Sequence, residues 1–342
     1  MKVLLTGSEG YIGAVLRDAL LEHGHEVTGL DTGYFSDCDF GAPPTPIPLV
    51  RRDLRDTQRE DVEGHDAVMH LAALSNDPLG NLRPGLTETI NTHGSIRLAQ
   101  LAKEAGVPRF LFASSCSLYG QGGALGLTED APANPQTPYA RSKIDFEQAL
   151  AAMTDDSFSP TFLRNATAFG VSPRLRFDIV VNNLCGWAWT AGRIVMTSDG
   201  TPWRPLVHVK DIARAFVCAL EAPREAVHNQ AFNVGSTENN LQIRDIAYKV
   251  QRQMPECEVS FGSSDGDTRT YNVDFTKIET RLPGFERARF TVDDAITEFL
   301  DAFRRLALKD EQFQGRLYTR LRQIKHLQET GQIDEELRWR KS

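Results

Sequence analysis

The sequence lacks the features of a membrane protein and of a disulfide-stabilised secreted scaffold. It contains no run of about 18 apolar residues, and its first segment, Met1 to Gly7, has no long apolar core of the kind found in secretory signals. The 5 cysteines are scattered and form no C-x-x-C pair, which is a poor pattern for a disulfide framework or a zinc site. We therefore expect a reduced, cytoplasmic protein with no metal and no membrane partner.

The sequence also lacks an excess of positive charge. Lys and Arg total 38 against 46 Asp and Glu, so the formal net charge is -8 at pH 7. A field of that sign repels nucleic acid and anionic lipid. We expect no nucleic-acid partner, whereas a small anion bound by a few local groups is compatible with this charge.

What is present is an ordinary globular composition, with 41% hydrophobic and 25% charged residues in a chain of 342. Strand-like and helix-like segments alternate along its first half, as a parallel sheet covered by helices requires. This predicts an α/β fold, a Rossmann-type doubly wound parallel sheet with a smaller, discontinuous C-terminal substrate lobe. The expected divisions are a nucleotide-binding domain over 1–165 with returning segments near 206–235, the lobe over 166–205 and 236–305, and a charged helical tail over 306–342.

Several individual elements can be placed from the local pattern. A helix is predicted over Tyr11–Glu22, between two short strands, and ends before Gly24. Further along, Leu206–Val209 and Phe232–Val234 read as strands that return to the sheet. The tail is predicted to hold one helix over Glu311–Glu329, and it carries no motif from which a role can be inferred.

The first chemical signal is a glycine-rich turn. Gly7, Gly10 and Gly13 are spaced G-x-x-G-x-x-G between a predicted strand and a predicted helix. Such glycines allow a tight turn, let backbone N–H groups approach a pyrophosphate and let the helix pack closely on the sheet. Asp31 closes the next strand about 20 residues on, where a carboxylate accepts hydrogen bonds from the adenosine ribose and repels a 2′-phosphate. The pattern favours NAD over NADP; the alternative for Asp31 is a surface aspartate that opens a turn before Gly33.

The second signal is a tyrosine and a lysine at helical spacing. Tyr139 and Lys143 follow Pro138 and are four residues apart, which places them on one face of a helix. A nearby ammonium lowers the pKa of a phenol from about 10 towards the working range, so that the phenol can act as general base and acid. This spacing alone is also common on exposed helices. Its combination with the glycine turn and with Ser114 and Ser115 at the end of a predicted strand indicates a catalytic pair.

At this point the sequence resembles the extended short-chain dehydrogenase/reductase superfamily, in its nucleotide-sugar epimerase and dehydratase branch. The resemblance covers roughly residues 1–300 and is carried by ordered motifs at Thr6–Gly13, His70–Ala73, Ser114–Gly120, Tyr139–Lys143, Arg204–Asp211 and Phe232–Gly235. It implies NAD as the cofactor and a nucleotide-diphosphate sugar as the substrate. By the same analogy it implies a homodimer built on helices near Leu86–Ala105 and Pro138–Met153.

The resemblance also implies roles for individual residues. The catalytic positions fall on Ser115, Tyr139 and Lys143, with Tyr139 as the acid/base and Lys143 bound to the nicotinamide ribose. The positions implied to bind the cofactor are Gly7, Gly10, Tyr11, Ile12, Gly13, Asp31, Asp53, Leu54, Leu71, Ala72, Ala73, Asn91, Ser114, Tyr139 and Lys143.

The candidates for substrate binding come from several segments. Arg204, Arg269 and Tyr271 match positions at which the branch holds its sugar nucleotide. The remaining candidates lie on polar loops, beside the catalytic serine or in a later helix: Ser75, Asn76, Ser117, Arg174, Arg176 and Asn182. The two loop arginines can clamp a pyrophosphate or a carboxylate, and the alternative is that they are solvated charges.

The departures from the branch bear on the reaction. Where 4,6-dehydratases carry Asp-Glu after the catalytic threonine, this chain has Cys116 and Ser117, with no carboxylate to protonate a leaving hydroxyl. Dehydration is therefore disfavoured. We expect Cys116 to be a small buried residue rather than an acid or base, and His70 and His208, within strand-like runs, to be core groups.

The leading hypothesis is an NAD-dependent nucleotide-sugar epimerase that acts at C4 of an NDP-hexose or hexuronate through a transient 4-keto sugar. One alternative is an NDP-sugar 4-ketoreductase or dehydrogenase with net redox change. Another is a non-catalytic protein that senses NAD or a nucleotide sugar. The presence of Ser115, Tyr139 and Lys143 together counts against the second alternative.

Overall fold

The computed structural model describes residues 1–75, 83–120, 126–263 and 269–340. Its strands, in chain order, are β1 (Lys2–Thr6), β2 (Glu26–Asp31), β3 (Leu49–Arg51), β4 (Ala67–His70), β5 (Arg109–Ser115), β6 (Ser159–Asn165), β7 (Thr167–Phe169), β8 (Arg193–Met196), β9 (Trp203–His208), β10 (Gln230–Val234), β11 (Asn240–Gln242) and β12 (Glu258–Phe261). Seven of these form one parallel sheet in the order β10-β6-β5-β4-β1-β2-β3. The predicted Rossmann-type sheet is confirmed.

The helices alternate with these strands. In chain order they are α1 (Tyr11–Glu22), α2 (Arg59–Val62), α3 (Pro84–Thr87), α4 (Ser95–Glu104), α5 (Pro138–Ala152), α6 (Val180–Ala191), α7 (Val209–Glu221), α8 (Arg224–Val227), α9 (Ile243–Gln253), α10 (Thr276–Arg281), α11 (Val292–Leu306), α12 (Asp310–Phe313) and α13 (Arg320–Glu329). A π-helical section, Glu88–Gly94, joins α3 to α4. Short 3₁₀ turns occupy Leu54–Asp56, Cys116–Tyr119 and Thr237–Asn239. Among the described residues, no helix is both long enough and apolar enough to cross a membrane.

Helices cover both faces of the large sheet, because each face carries apolar side chains. On one face α1 and α7 bury Leu16, Leu20 and Phe216 against β1 and β5, and on the other α4 and α5 bury Leu98 and Phe146. The strand order reverses between β1 and β4, because the chain runs outward to β3 and then returns to the other side of β1. Ligands of open α/β sheets bind at the carboxyl ends of the strands beside such a switch point.

A second core lies beyond the sheet. It is formed mainly by apolar side chains of α6, α9 and α11, among them Val181, Ile246 and Phe299. Two small sheets border it: β7, β9 and β11 form one, and β8 pairs with β12 in the other. The prediction that Leu206–Val209 returns to the large sheet is wrong, because β9 pairs with β7 and β11 instead. The chain returns to the large sheet through α7 and then β10, which pairs with β6.

The C-terminal segment departs from the predicted single helix. Residues 314–319 separate α12 from α13, so that the segment turns and packs against the body of the protein. Phe313 is buried in the second core, and Arg320 at the start of α13 is only 2% exposed. A stretch that was predicted only as a charged helical tail therefore folds onto the rest of the chain.

Candidate active site

A cavity of about 590 Å³ lies at the carboxyl ends of the central strands. Residues that follow β1, β2, β4 and β5 line one side of it, and residues after β6 and from the second core line the other. The predicted site residues found in this lining are Gly7, Gly10, Tyr11, Ile12, Gly13, Asp31, Asp53, Leu54, Leu71, Ala72, Ala73, Ser75, Ser114, Ser115, Ser117, Tyr139, Lys143, Arg176, Arg204, Arg269 and Tyr271. Residues far apart in the sequence thus share one cavity.

Close backbone contacts require glycine at two positions of the turn. Gly7 has a φ of +74°, and a Cβ on it would lie 2.8 Å from the Ala72 nitrogen. A Cβ on Gly13 would lie 2.0 Å from the Gly7 oxygen, which is impossible without moving the turn. Within the described residues no side chain caps the N-terminus of α1 at Gly10. This terminus is therefore available to a phosphate, which the helix dipole attracts.

Asp31 is fixed at the end of β2 by two backbone groups. Its Oδ1 accepts a hydrogen bond from the Gly33 nitrogen at 2.8 Å, and its Oδ2 accepts one from the Glu9 nitrogen at 3.0 Å. Burial raises the pKa of Asp31, and these two N–H groups oppose the rise. The carboxylate retains further lone pairs at the cavity, which a ribose hydroxyl can use.

The three predicted catalytic residues are brought together by the end of β5 and the first two turns of α5. Thr137 caps α5 through a hydrogen bond from the Ala140 nitrogen, which sets Tyr139 in that first turn. The Lys143 Nζ donates to the Ala113 oxygen at 2.8 Å and lies 5.5 Å from the centre of the Tyr139 ring. The Ser115 Oγ accepts a hydrogen bond from the Ser117 nitrogen at 3.2 Å. All three predicted catalytic side chains therefore reach the same wall of the cavity.

Lys143 lies in an unusual environment for a lysine. It is 4% exposed, and burial lowers its pKa to about 7, while Glu147 acts in the opposite direction. Its ammonium also lies 4.7 Å from the centre of the Phe112 ring. A lysine of this kind can exchange a proton in the neutral range, which an exposed lysine does not do.

Three polar atoms beside the cavity have no hydrogen-bond partner among the described residues. They are the Ser114 Oγ, the Ser117 Oγ and the Asn165 Oδ1, and all three atoms are buried. Buried polar atoms are normally hydrogen-bonded, so an incomplete set of this kind at a cavity wall indicates a missing polar ligand. Together with the glycine turn, these atoms fit a bound dinucleotide and a polar substrate.

Arginines line the wall of the cavity that is formed by residues after β6 and by the second core. The Arg176 Nε pairs with the Asp178 Oδ1 at 2.7 Å, and its Nη1 donates to the Ser75 Oγ at 3.2 Å. The Arg176 Nη2 is buried with no hydrogen-bond partner in the described part of the chain. Arg204 lies with its guanidinium 5.9 Å from the centre of the Tyr271 ring. Arg269 lines the same region.

Some predicted site residues lie elsewhere. Arg174 does not line the cavity, because its guanidinium is held by Glu9 at 2.8 Å and by Asp39. Asn182 is buried and donates to the Arg176 oxygen at 2.8 Å. Asn91, in the π-helical section, accepts from the Leu74 nitrogen at 2.8 Å and so supports the loop after β4. Asn76 lies outside the described residues.

The structure also contains cavity residues that the sequence reasoning missed. Asn165 ends β6 beside Ser115 in β5, and its place at the carboxyl end of a buried strand was the available signal. Tyr34 and Phe35, after β2, carry no recognisable motif. Arg320 and Ile324 reach the cavity from the C-terminal segment, and nothing in the local sequence indicates that position.

The cysteine and the two histidines that were not expected to take part in the chemistry form hydrogen bonds inside the fold. Cys116 is 1% exposed, its Sγ donates to the Arg164 oxygen at 3.1 Å, and burial raises its pKa. His70 lies between the Thr6 Oγ1 and the Ser95 Oγ, each at 2.7 Å, and burial lowers its pKa to about 3. His208 caps α7. These placements agree with the core positions expected from the sequence.

Comparison with known proteins adds independent information. Residues 3–235 match the NAD dependent epimerase/dehydratase family. A UDP-glucose 4-epimerase of Corynebacterium glutamicum is 31% identical over 315 residues, which span 86% of this chain and 94% of that protein. The solved structure of TunA, an NAD-dependent NDP-hexosamine 5,6-dehydratase, is 25% identical with a TM-score of 0.79, covering 89% of this chain and 98% of that one. MoeE5, solved with UDP-glucuronic acid and NAD, is 24% identical with a TM-score of 0.78 over 90% of this chain and 100% of its own, and shares the fold.

Proposed function

This chain belongs to the NAD dependent epimerase/dehydratase family, and from that premise we propose that it is a nucleotide-sugar epimerase that inverts C4 of an NDP-hexose or hexuronate. NAD is its cofactor. The observation that carries the proposal is the position of Ser115, Tyr139 and Lys143 on the same cavity as the glycine turn and Arg204. A dinucleotide site, a proton-transferring pair and cationic side chains therefore face one space.

The cofactor is assigned to the side of the cavity nearest β1 and β2. We propose that the diphosphate lies at the Gly7–Gly13 turn and that Asp31 binds the adenosine ribose. Asp53 and Leu54 lie beside the adenine, and Ala72 and Ala73 border the diphosphate from β4. The buried Ser114 hydroxyl, which lacks a described partner, fits the nicotinamide end.

The protein's own residues would move one proton in each direction. When bound, NAD supplies the reversible oxidation of the sugar at C4. Tyr139, as phenolate, takes the proton of the C4 hydroxyl and later returns it, while the Ser115 hydroxyl donates a hydrogen bond to the same oxygen. The Lys143 ammonium stabilises the phenolate and contacts the nicotinamide ribose. Between the two steps the 4-keto sugar rotates within the cavity, so that the hydrogen is returned to the opposite face of C4.

The substrate is assigned to the opposite side. We propose that Arg204, Arg269 and Tyr271 hold the diphosphate and nucleoside of the sugar nucleotide. Arg176 and Ser75 then lie beside the sugar, where the guanidinium can bind a hydroxyl or carboxylate at C6. Ser117 is part of the same wall. Asn182 acts by positioning the loop, because it donates to the Arg176 oxygen, whereas Arg174 joins this loop to Glu9 and Asp39.

Two other activities of this fold are less well supported by the cavity. Elimination needs a carboxylic acid near the sugar, and the described carboxylates at the cavity are Asp31, Asp53 and Asp178. Asp178 is the one on the substrate side; burial alone would raise its pKa, but Arg176 holds the pKa below its usual range, so it is a poor proton donor. A ketoreductase or dehydrogenase differs from an epimerase only in the net redox change, which must be measured.

The direct test is to incubate the purified protein with UDP-glucose or UDP-glucuronic acid and to follow both the sugar and the nicotinamide. We expect NMR spectra to show the C4 epimer while the near-ultraviolet absorbance of NADH stays constant. Stoichiometric NADH would identify a dehydrogenase, and tight binding of the sugar nucleotide without turnover would identify a sensor. Either result would remove the epimerase assignment.

We further propose that the protein works as a cytoplasmic homodimer, with a nucleotide-binding domain over 1–165 that α7 and β10 complete, a lobe over 166–205 and 236–305, and a C-terminal tail over 306–342. The described cysteines are all unpaired, which suits a reducing compartment. The dimer would use the helices near Leu86–Ala105 and Pro138–Met153, which in the structure lie side by side on one face of the large sheet. Light scattering coupled to size-exclusion chromatography tests this, because a monomer of 38.1 kDa would exclude it.

A further inference from the structure

The C-terminal segment, defined here as residues 320–340, packs on the loops around the cofactor end of the cavity. The Trp339 Nε1 donates to the Thr32 oxygen at 2.7 Å, and the Tyr34 hydroxyl donates to the Leu337 oxygen. The Arg338 Nη1 lies 3.6 Å from the Asp53 Oδ2. Because Thr32, Tyr34 and Asp53 line the cavity, the C-terminal segment encloses the place assigned to the adenosine half of NAD.

Apolar contacts fix the C-terminal segment in this position. Ile324, Leu327 and Leu337 pack with Tyr34 and Ile90 in a small core that is separate from the two large ones. Ile324 is also part of the cavity lining. The contact therefore has a buried apolar core in addition to its surface charge pairs, and this core holds α13 at the cavity.

Arg320 brings a buried charge from the C-terminal segment to the cavity. Its Nη2 donates to the Arg174 oxygen at 2.9 Å, and its guanidinium lies 4.2 Å from the centre of the Phe35 ring. Its Nη1 is buried and has no hydrogen-bond partner among the described residues. No described carboxylate forms an ion pair with its side chain. A buried guanidinium held in this way is normally paired.

The neighbouring carboxylates compensate this guanidinium only in part, because four arginines face three carboxylates. Glu9 pairs with Arg17 and Arg174, Asp39 pairs with Arg174, and Asp178 pairs with Arg176 and accepts a hydrogen bond from the Arg320 nitrogen at 3.3 Å. Burial and the positive charge of Arg176 both lower the pKa of Arg320, to about 10. The cluster therefore has an excess of positive charge, which a bound anion would neutralise.

We propose that Arg320 is a ligand of the NAD diphosphate, so that the C-terminal segment supplies part of the cofactor site. The dinucleotide is preferred over the sugar nucleotide because Arg320 rests on Phe35, which follows β2, and on the loop that carries Arg174. Arg174 in turn pairs with Glu9 in the turn before α1, where the diphosphate is assigned. The inference depends on the proposed cofactor site but not on the reaction catalysed there.

The test compares Arg320→Met, which removes the charge and keeps much of the bulk, with Arg322→Met as a matched control. Arg322 is exposed on the same helix. On the purified holoenzyme, bound NAD is exchanged against isotopically labelled NAD and followed by mass spectrometry, while UDP affinity is measured by calorimetry. We expect Arg320→Met to release NAD at least about 10-fold faster, the scale for losing a charge-assisted hydrogen bond, and to leave UDP affinity within about 2-fold of the unmodified protein. Arg322→Met should match the unmodified protein in both.

Thermal unfolding separates this from a structural role. If Arg320 only supports the fold, Arg320→Met lowers the melting temperature and leaves NAD exchange unchanged, which overturns the proposal. A loss of UDP affinity with normal NAD exchange would assign the arginine to the substrate diphosphate and overturn it equally. If Arg320→Met does not fold, Arg320→Lys is used instead. Its NAD exchange rate should exceed that of the unmodified protein by less than about 10-fold, and an exchange rate equal to that of the unmodified protein would overturn the proposal. None of these measurements needs turnover, so absence of epimerase activity would count against the proposed function alone.

Discussion

Lys143 is the side chain that makes proton transfer near neutral pH physically reasonable in this cavity. It is buried against Phe112, it donates to the Ala113 oxygen, and its pKa is lowered to about 7 by burial. The same environment that destabilises its charge places it close to Tyr139. At the scale of single residues, the site therefore depends on a cation that is costly to hold in place.

Replacement of Tyr139 tests the proposed acid/base. Tyr139→Phe removes one oxygen and keeps the ring, so kcat should fall at least about 10²-fold while bound NAD is retained. Turnover is measured with the best sugar nucleotide, and NAD content is measured by mass spectrometry. Cys116→Ser is the comparison, because that thiol is buried away from the chemistry. Near-normal turnover in Tyr139→Phe would show that another group transfers the proton.

The buried lysine also predicts how stability depends on pH. Its pKa in the folded protein, about 7, lies below the usual 10.5, so between these values the unfolded chain binds more protons than the folded one. The stability contributed by this group therefore rises with pH from about 7 to about 10, and its cost is fully present below about 7. Lys143→Met should be more stable than the unmodified protein near pH 6, by a margin that shrinks towards pH 9. Urea unfolding without added NAD measures this, and a margin that does not change with pH would contradict it.

At the scale of elements, the turn between β1 and α1 is the most constrained part of the site. Gly13→Ala would place a Cβ 2.0 Å from the Gly7 oxygen. The variant should therefore lose about 1–3 kcal/mol of free energy of unfolding and most of its NAD affinity. Gly85→Ala is the matched control, because its added Cβ meets no described atom within 4 Å outside its own helix backbone and its chain neighbours. Thermal melts with and without NAD measure both effects. Equal NAD-induced shifts in the two variants would mean that the turn does not hold the cofactor.

The elements that were predictable from the sequence are those with a local pattern. The glycine turn, α1 and the Tyr139–Lys143 pair are encoded by spacings of three or four residues, and each was located correctly. The partner of β9 was not, because β7 is only three residues long and its pairing is settled by the packing of the second core. Arg320 reaches the cavity only through long-range folding, so no window of sequence around it indicates a site, whereas the place of Asn165 at the end of a buried strand was an available signal.

At the scale of the whole molecule, the C-terminal segment changes how the protein is understood. The sequence suggests a body of about 300 residues followed by a charged helical tail with no assigned role. In the structure, α13 and the residues after it contact loops that follow β2, β3 and β4. The acidic net charge also coexists with a locally basic cavity at Arg176, Arg204 and Arg320. On the proposed function, local cations bind a small dianionic diphosphate, while the surrounding field disfavours polyanions.

The most direct measurement of the central claim uses UDP-glucose deuterated at C4 and the unmodified protein. If one bound NAD oxidises and then reduces the same carbon, the C4 epimer should form with its deuterium retained and without label from the solvent. Mass spectrometry and NMR of the product give the result. Loss of the deuterium to solvent, or its appearance in free NADH, would contradict epimerisation through a retained 4-keto sugar.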